Sequence, residues 1–305
     1  MTTPWGEIPV SDAHIHFLGR SFFQNLASQK KEPRPLDEMV RGLGWQPPPD
    51  NAALANVWAE ELDRNGVDRG VLIASLPGEE ESVAEALRAR PERFWGYFIF
   101  DPLAPEAELR ARRAFDELGM QGLCLFPAMH RFSIQDERLD PLWRLVAERP
   151  GRVAFVHMGV LTVGVRKKLG LPSPFDVSFS NPLDLHGVAA KHPDTTFVLP
   201  HFGAGFFREA LMLADLAPNV YFDTSSSNSW TKYQVPEISL EAVFGKALDL
   251  IGAQRLLFGS DSSFFPRGWN REVFETQAAL LEELGVGEAA ARAIFGGNLT
   301  RLLSP

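Results

Sequence analysis

Two histidines set two residues apart, His14 and His16, sit in Ser11-Asp12-Ala13-His14-Ile15-His16-Phe17 near the start of the chain. In an extended strand residues i and i+2 project to the same side, so both imidazoles can grip one ion. Three more residues of metal-binding type close short apolar runs farther along. His157 follows Val153-Ala154-Phe155-Val156, His201 follows Phe197-Val198-Leu199-Pro200, and Asp261 follows Leu257-Phe258-Gly259-Ser260. Each taken singly also reads as ordinary structure: a core histidine, a polar residue opening a loop, a helix N-cap. Neutral imidazoles with a carboxylate suit one divalent ion, Zn²⁺ best, with Mn²⁺ or Fe²⁺ compatible with mixed nitrogen and oxygen ligands. Such an ion lowers the pKa of its water to about 7 and polarises a carbonyl, which is hydrolytic chemistry.

Five residues so far apart in sequence converge only if the elements carrying them share one end of a scaffold. Short apolar strands are predicted near residues 8–17, 67–75, 94–100, 122–126, 152–157, 195–201, 220–223 and 255–260. Helical spacing fills the intervals at 51–65, 80–90, 105–118, 139–148, 183–191, 205–216, 239–251 and from 270 onward. Continuous rather than alternating apolar strands are what a parallel sheet covered on both faces requires. Eight such units predict an α/β fold of the (β/α)8 barrel type, one domain over residues 1–305, whose functional groups lie at the C-terminal ends of the strands. An open doubly wound sheet is the other arrangement, but no glycine-rich turn follows the first strand to hold a dinucleotide. Residues 18–50 read as an irregular insertion, with Gly19, Pro33, Pro35, Gly42, Gly44 and Pro47-Pro48-Pro49, and directly follow the histidine pair as a lid or binding loop would.

The formal net charge of −9 argues against nucleic acid as a partner, and no apolar run approaches the length of a membrane helix. The first residues lack the basic and apolar regions of a signal peptide, and the single cysteine, Cys124, excludes an intrachain disulfide. A cytoplasmic protein acting on a small molecule is the expectation.

The ordered motifs Asp12-Ala13-His14-Ile15-His16-Phe17, Phe155-Val156-His157-Met158-Gly159, Leu199-Pro200-His201-Phe202-Gly203 and Phe258-Gly259-Ser260-Asp261 resemble the strand motifs of the amidohydrolase superfamily. More narrowly they are similar to its amidohydrolase-2 branch, which includes the aminocarboxymuconate semialdehyde decarboxylase group. The ending Ile294-Phe295-Gly296-Gly297-Asn298-Leu299 also resembles that branch. The resemblance implies a metal-dependent (β/α)8 enzyme in which His14, His16, His157 and Asp261 bind the metal and His201 hydrogen-bonds the water or substrate beside it. Asp12 opens the first motif, and strand alternation with Ala13 puts it on the histidine side in a supporting role. Two-metal relatives use a bridging lysine or glutamate at the end of the fourth strand, where this chain has Cys124 and Phe126, so a single metal is implied. A homodimer follows from the same resemblance.

Other residues are weaker candidates. His130 reads as an exposed loop histidine, His186 and His192 as structural, and Arg166-Lys167-Lys168 and Arg267 as solvated loop charges, with contact to an anionic substrate as the alternative. Trp45, Phe132, Trp230, Tyr233, Phe264 and Trp269 are expected in loops overhanging the mouth, pointing to an apolar or aromatic substrate or to a subunit contact. The reading preferred is hydrolysis of a C–N or C–O bond next to a carbonyl, with Asp261 moving the proton of the attacking water and His201 steadying the oxyanion. Its alternatives are non-oxidative decarboxylation, with the same residues protonating carbon, and a noncatalytic ligand-binding barrel.

Overall fold

The computed structural model describes residues 1–32 and 34–304, so Pro33 lies outside the described residues. Eight parallel strands run in order around one sheet: β1 Ser11–Phe17, β2 Arg69–Ala74, β3 Phe94–Phe100, β4 Gly122–Leu125, β5 Val153–Val156, β6 Phe197–Pro200, β7 Val220–Asp223 and β8 Leu256–Leu257. Pairing proceeds neighbour to neighbour, for example Gly70 to Phe94 and Val198 to Tyr221. The barrel is closed onto β1 by the segment that follows β8. Ala13 N–H donates to the Phe258 carbonyl and His16 N–H to the Ser262 carbonyl, each at 2.8 Å. This closure brings the residues after β8 alongside the histidine strand.

Alternation along the strands divides the core in two. Val71, Ile73, Tyr97, Ile99, Cys124 and Phe155 belong to a cluster that joins residues of opposite strands and fills the barrel. Leu72, Phe98, Phe100, Leu123 and Val156, from the other positions, pack against the surrounding helices. The register between β1 and β2 shifts between Asp12 and Ile15, a bulge-like irregularity at the histidine motif. Such irregularities re-aim side chains beside functional sites.

The helices begin and end where the sequence has caps. Asp50 accepts from Ala53 N–H at 2.8 Å to start the helix Asn51–Asn65, and Gly66, at φ 69°, ends it. Ser239 caps Leu240–Ile251 in the same way. The segment 18–50 departs from its irregular reading. It contains two short helices, Arg20–Ser28 and Leu36–Gly42, whose Phe22, Phe23, Leu26, Met39 and Val40 pack with Trp45, Val165 and Leu169. Proline and glycine at its joints hid a small second core that the surrounding loops complete. No helix among the described residues is long and apolar enough to cross a membrane.

Candidate metal centre

His14 and His16 face the C-terminal mouth of the barrel with their Nε2 atoms 3.3 Å apart. Asp261 Oδ1 lies 3.7 Å from the first and 3.5 Å from the second. These three residues form a group able to share one ion. A tetrahedral ion with metal–nitrogen bonds of about 2.0–2.1 Å separates two ligand nitrogens by about 3.3 Å, so the pair has the spacing that Zn²⁺ requires.

The surrounding hydrogen bonds set which nitrogen of each ring is left to face the cavity. Ser75 gives its one hydroxyl proton to the Ile73 carbonyl at 3.0 Å and therefore accepts from His16 Nδ1 at 2.9 Å. His14 Nδ1 donates to Asp223 Oδ2 at 2.7 Å. His201 Nδ1 donates to the Ser225 carbonyl at 3.1 Å, which can only accept, and in the neutral ring this leaves Nε2 as the atom with the lone pair.

Charges follow the same pattern. Burial lowers His14, but Asp223, with Asp261 and Asp12, outweighs it and raises the ring to about 9. Burial and the neighbouring His14 push His16 down to about 4. Burial also lowers His201, against the pull of Asp261, so this imidazole is neutral at pH 7. Asp261 is pushed up by burial, yet His14, His201 and His16 hold it below the ordinary carboxylate range.

His157 stands somewhat apart. It is buried, its ring lies nearly parallel to Phe126 at 5.1 Å, and its centroid is 5.3 Å from that of His201. Its Nδ1 is buried with no hydrogen-bond partner among the described residues. Burial, with His201 and His14 nearby, holds it well below the usual imidazole value. A buried neutral imidazole beside the other three groups fits a cation, although His157 is not drawn into the closely spaced trio. Gly159 explains how β5 and β6 approach so closely: at φ 92°, a Cβ there would stand 2.1 Å from the Gly203 carbonyl oxygen. His201 and Asp261 occupy the left-handed backbone region, at φ 56° and 55°. Non-glycine residues held there cost free energy and gather at functional sites.

The centre opens into a cavity of about 400 Å³ lined by Trp45, Phe126, Phe264, Lys168 and Arg267 as well as the histidines. A smaller chamber of about 160 Å³, bordered by Ser226, Ser229, Trp230 and Lys232, meets it at His157, His201 and Asp261. Trp45 stacks on Phe264 with centroids 4.1 Å apart. Lys168 Nζ lies 5.2 Å from the Trp45 ring and the Arg267 guanidinium 4.6 Å from Phe264.

A family model described as Amidohydrolase matches residues 11–304. The chain belongs to the amidohydrolase-2 family. Of curated proteins, a stretch of 87 residues is 34% identical to Protein fluG of Emericella nidulans, covering 28% of this chain and 10% of that protein. An uncharacterised TIM-barrel protein of Bordetella bronchiseptica superposes with a TM-score of 0.67 at 21% identity, over 97% of this chain and 99% of that one. The 5-carboxyvanillate decarboxylase LigW of Sphingomonas paucimobilis gives 0.64 at 15%, again over 97% and 99%. An amidohydrolase of Burkholderia multivorans with bound zinc gives 0.61 at 18%, with the same coverage. At these identities the structural matches establish the barrel fold, while both hydrolases and decarboxylases stand among its neighbours.

Several sequence expectations change in detail. Asp12 is fully buried but touches neither imidazole: its oxygens accept from His14 N–H, Ser260 N–H, the Ser260 hydroxyl and Trp269 Nε1. It braces β1 against the segment that carries Asp261. Phe132 and Trp269 are buried in the core, while Trp45, Phe264, Trp230 and Tyr233 line the two chambers. His130 ends a helical turn, Pro127–His130, with a buried Nδ1, rather than lying exposed in a loop. His192 pairs with Asp140 at 3.1 Å, a structural contact as expected. Sequence reasoning missed Asp223, Ser225 and Ser75. Asp223 and Ser75 lie at or just after strand ends, the one available signal, but neither belongs to a spaced motif.

Proposed function

We propose that this amidohydrolase is a single-metal hydrolase that cleaves a C–N or C–O bond next to a carbonyl in a small aromatic or unsaturated substrate carrying a carboxylate. Zn²⁺ is the ion proposed, held by His14, His16, Asp261 and His157. When bound, the ion supplies Lewis acidity and a water acidic enough to act near neutral pH.

The observation that carries the choice of hydrolysis is the placement of protons. His201 Nε2 is left as an acceptor because Nδ1–H is engaged by the Ser225 carbonyl, and Asp261 is ionised beside it. Two proton acceptors thus face the cavity. Hydrolysis begins by withdrawing a proton from water, which Asp261 accepts and later hands to the leaving group, while His201 holds the water by accepting its hydrogen bond. This replaces the oxyanion contact that the sequence suggested for His201, since its free ring nitrogen carries no proton to donate. Decarboxylation instead requires a proton delivered to carbon, and neither group holds one at rest.

The substrate class is supported by the cavity wall. Lys168 and Arg267 flank the Trp45–Phe264 stack, and neither has a carboxylate partner among the described ion pairs. Asp261 is the one acidic residue among the described lining. A planar ring fits the aromatic wall, and a carboxylate fits the cations.

The test is a paired assay of the zinc-loaded protein. Aryl esters, lactones and amides that carry a further free carboxylate are followed for acid release, and aryl carboxylates for CO₂. Acid release is expected. CO₂ release with no hydrolysis of any ester, lactone or amide would overturn the proposal in favour of a carboxy-lyase, and failure to bind stoichiometric metal would favour a noncatalytic barrel.

A further inference from the structure

Asp223 ends β7, has no exposed surface, and has one ion-pair partner among the described residues, His14. Both carboxylate oxygens are used locally. Oδ2 accepts from His14 Nδ1 at 2.7 Å and Oδ1 from Ser225 N–H at 2.8 Å. A fully buried carboxylate with no lysine or arginine beside it is costly unless positive charge stands close by. The Ser225 hydroxyl completes the unit, 3.0 Å from both His14 Nδ1 and His201 Nδ1. Across from it, Gly259 leaves the room these groups need. A Cβ at Gly259 would stand 2.5 Å from Asp223 Oδ1, 2.9 Å from Ser225 Cβ and 3.0 Å from His14 Cβ.

We infer that Asp223 is the positioning residue of this centre: the buried carboxylate at the end of β7 holds the Nδ1–H of His14 and aims its Nε2 into the mouth, where an ion would take the lone pair, and thereby sets the affinity for the ion. Carboxylates that receive the second N–H of a ligating histidine fix its tautomer and orientation and raise its basicity. Here the carboxylate also fixes the backbone of Ser225, whose carbonyl and hydroxyl face His201, so one residue governs the presentation of two imidazoles. The inference rests on the reading of His14 as a metal ligand.

The test measures Zn²⁺ binding by competition with a chromophoric chelator and the ¹⁵N and ¹H resonances of the His14 ring in the zinc-loaded protein. Asp223→Asn keeps the side-chain shape and removes the charge. It is expected to weaken Zn²⁺ by on the order of 10–100-fold, with an unchanged far-ultraviolet circular dichroism spectrum, and to abolish the low-field Nδ1 proton expected in the wild type. Gly259→Ala, which changes no ligand's chemistry but crowds Asp223, Ser225 and His14 together, is expected to weaken Zn²⁺ in the same direction by displacing Asp223 and the ring it holds. Wild-type affinity in both variants would overturn the inference, as would a His14 Nδ1 proton unmoved by Asp223→Asn. Should Asp223→Asn fail to fold, Gly259→Ala with the ring resonances decides alone. A wild type that takes up no Zn²⁺ would instead sink the metal reading itself, an outcome distinct from wild-type binding retained by the variants.

Discussion

One arc of the barrel mouth presents its imidazoles fully held, and the opposite arc does not. On the side built by β1, β6, β7 and the segment after β8, His14 is tied to Asp223, His16 to Ser75 and His201 to Ser225. On the side of β4 and β5, His157 rests a ring face on Phe126 and has a buried Nδ1 with no partner among the described residues. A buried polar atom left unsatisfied costs about 1–3 kcal/mol. The first arc is therefore organised before any ion arrives, whereas the second carries a cost that an ion can relieve.

Substitutions on the organised arc have the largest expected effects. Asp261→Asn and His16→Ala each remove a group from the trio while leaving the barrel core untouched. Each is expected to lose on the order of 10²–10⁴ in turnover, His16→Ala together with bound zinc, measured by steady-state kinetics and elemental analysis. Unfolding of either variant in excess Zn²⁺ would identify these residues as structural and erase the contrast between the arcs.

His201 tests the same arc at one remove. With four other protein groups available to the ion, a fifth would leave little room for water and substrate, and a catalytic metal needs an open position. His201→Ala is expected to keep its zinc and lose on the order of a hundredfold in turnover. Parallel loss of zinc and turnover would move His201 into the ligand set.

The barrel and most of its mouth were legible because they depend on spacing. Eight apolar runs and the residues closing them can be counted along the chain, and β1 through β8 fall where that counting puts them. What hydrogen-bonds to what at the mouth is a different kind of information. Asp223 and Ser75 act on His14 and His16 across sequence separations of 209 and 59 residues, so no local pattern announces them. Nor does a motif say which ring nitrogen is free, which here separates His157 from the other histidines. The helices Arg20–Ser28 and Leu36–Gly42 escaped notice for a related reason, since their apolar faces are completed by Val165 and Leu169 from a distant loop.

The unsatisfied arc yields a smaller effect of opposite sign. His157→Phe replaces the buried imidazole with an apolar ring against Phe126 and removes the unpartnered nitrogen. Zinc affinity is expected to fall, while the metal-free protein gains on the order of 1 kcal/mol in urea unfolding with chelator present. A loss of metal-free stability would show that His157 is already satisfied without an ion and that the two arcs are alike.

The finest distinction between histidines is how many protons an ion must displace. The Asp223 carboxylate raises His14 to about 9 against the opposing effect of burial, from an ordinary value of 6.5. Because the folded value is the higher one, this proton stabilises the metal-free fold fully below pH 6.5, and the contribution is lost as pH rises through about 9. Zn²⁺ needs the Nε2 lone pair and leaves Nδ1–H on Asp223, so binding at neutral pH must expel the Nε2 proton. His16, lowered to about 4, has no such proton to lose at neutral pH. Calorimetric titration with Zn²⁺ in buffers of different ionisation enthalpy is expected to show about one proton released per ion at pH 7, declining toward none near pH 10. Release of two protons would mean that His16 is charged in the metal-free protein and that the organised arc is less uniform than its hydrogen bonds imply. No release at pH 7 would mean that Asp223 orients His14 without raising its basicity.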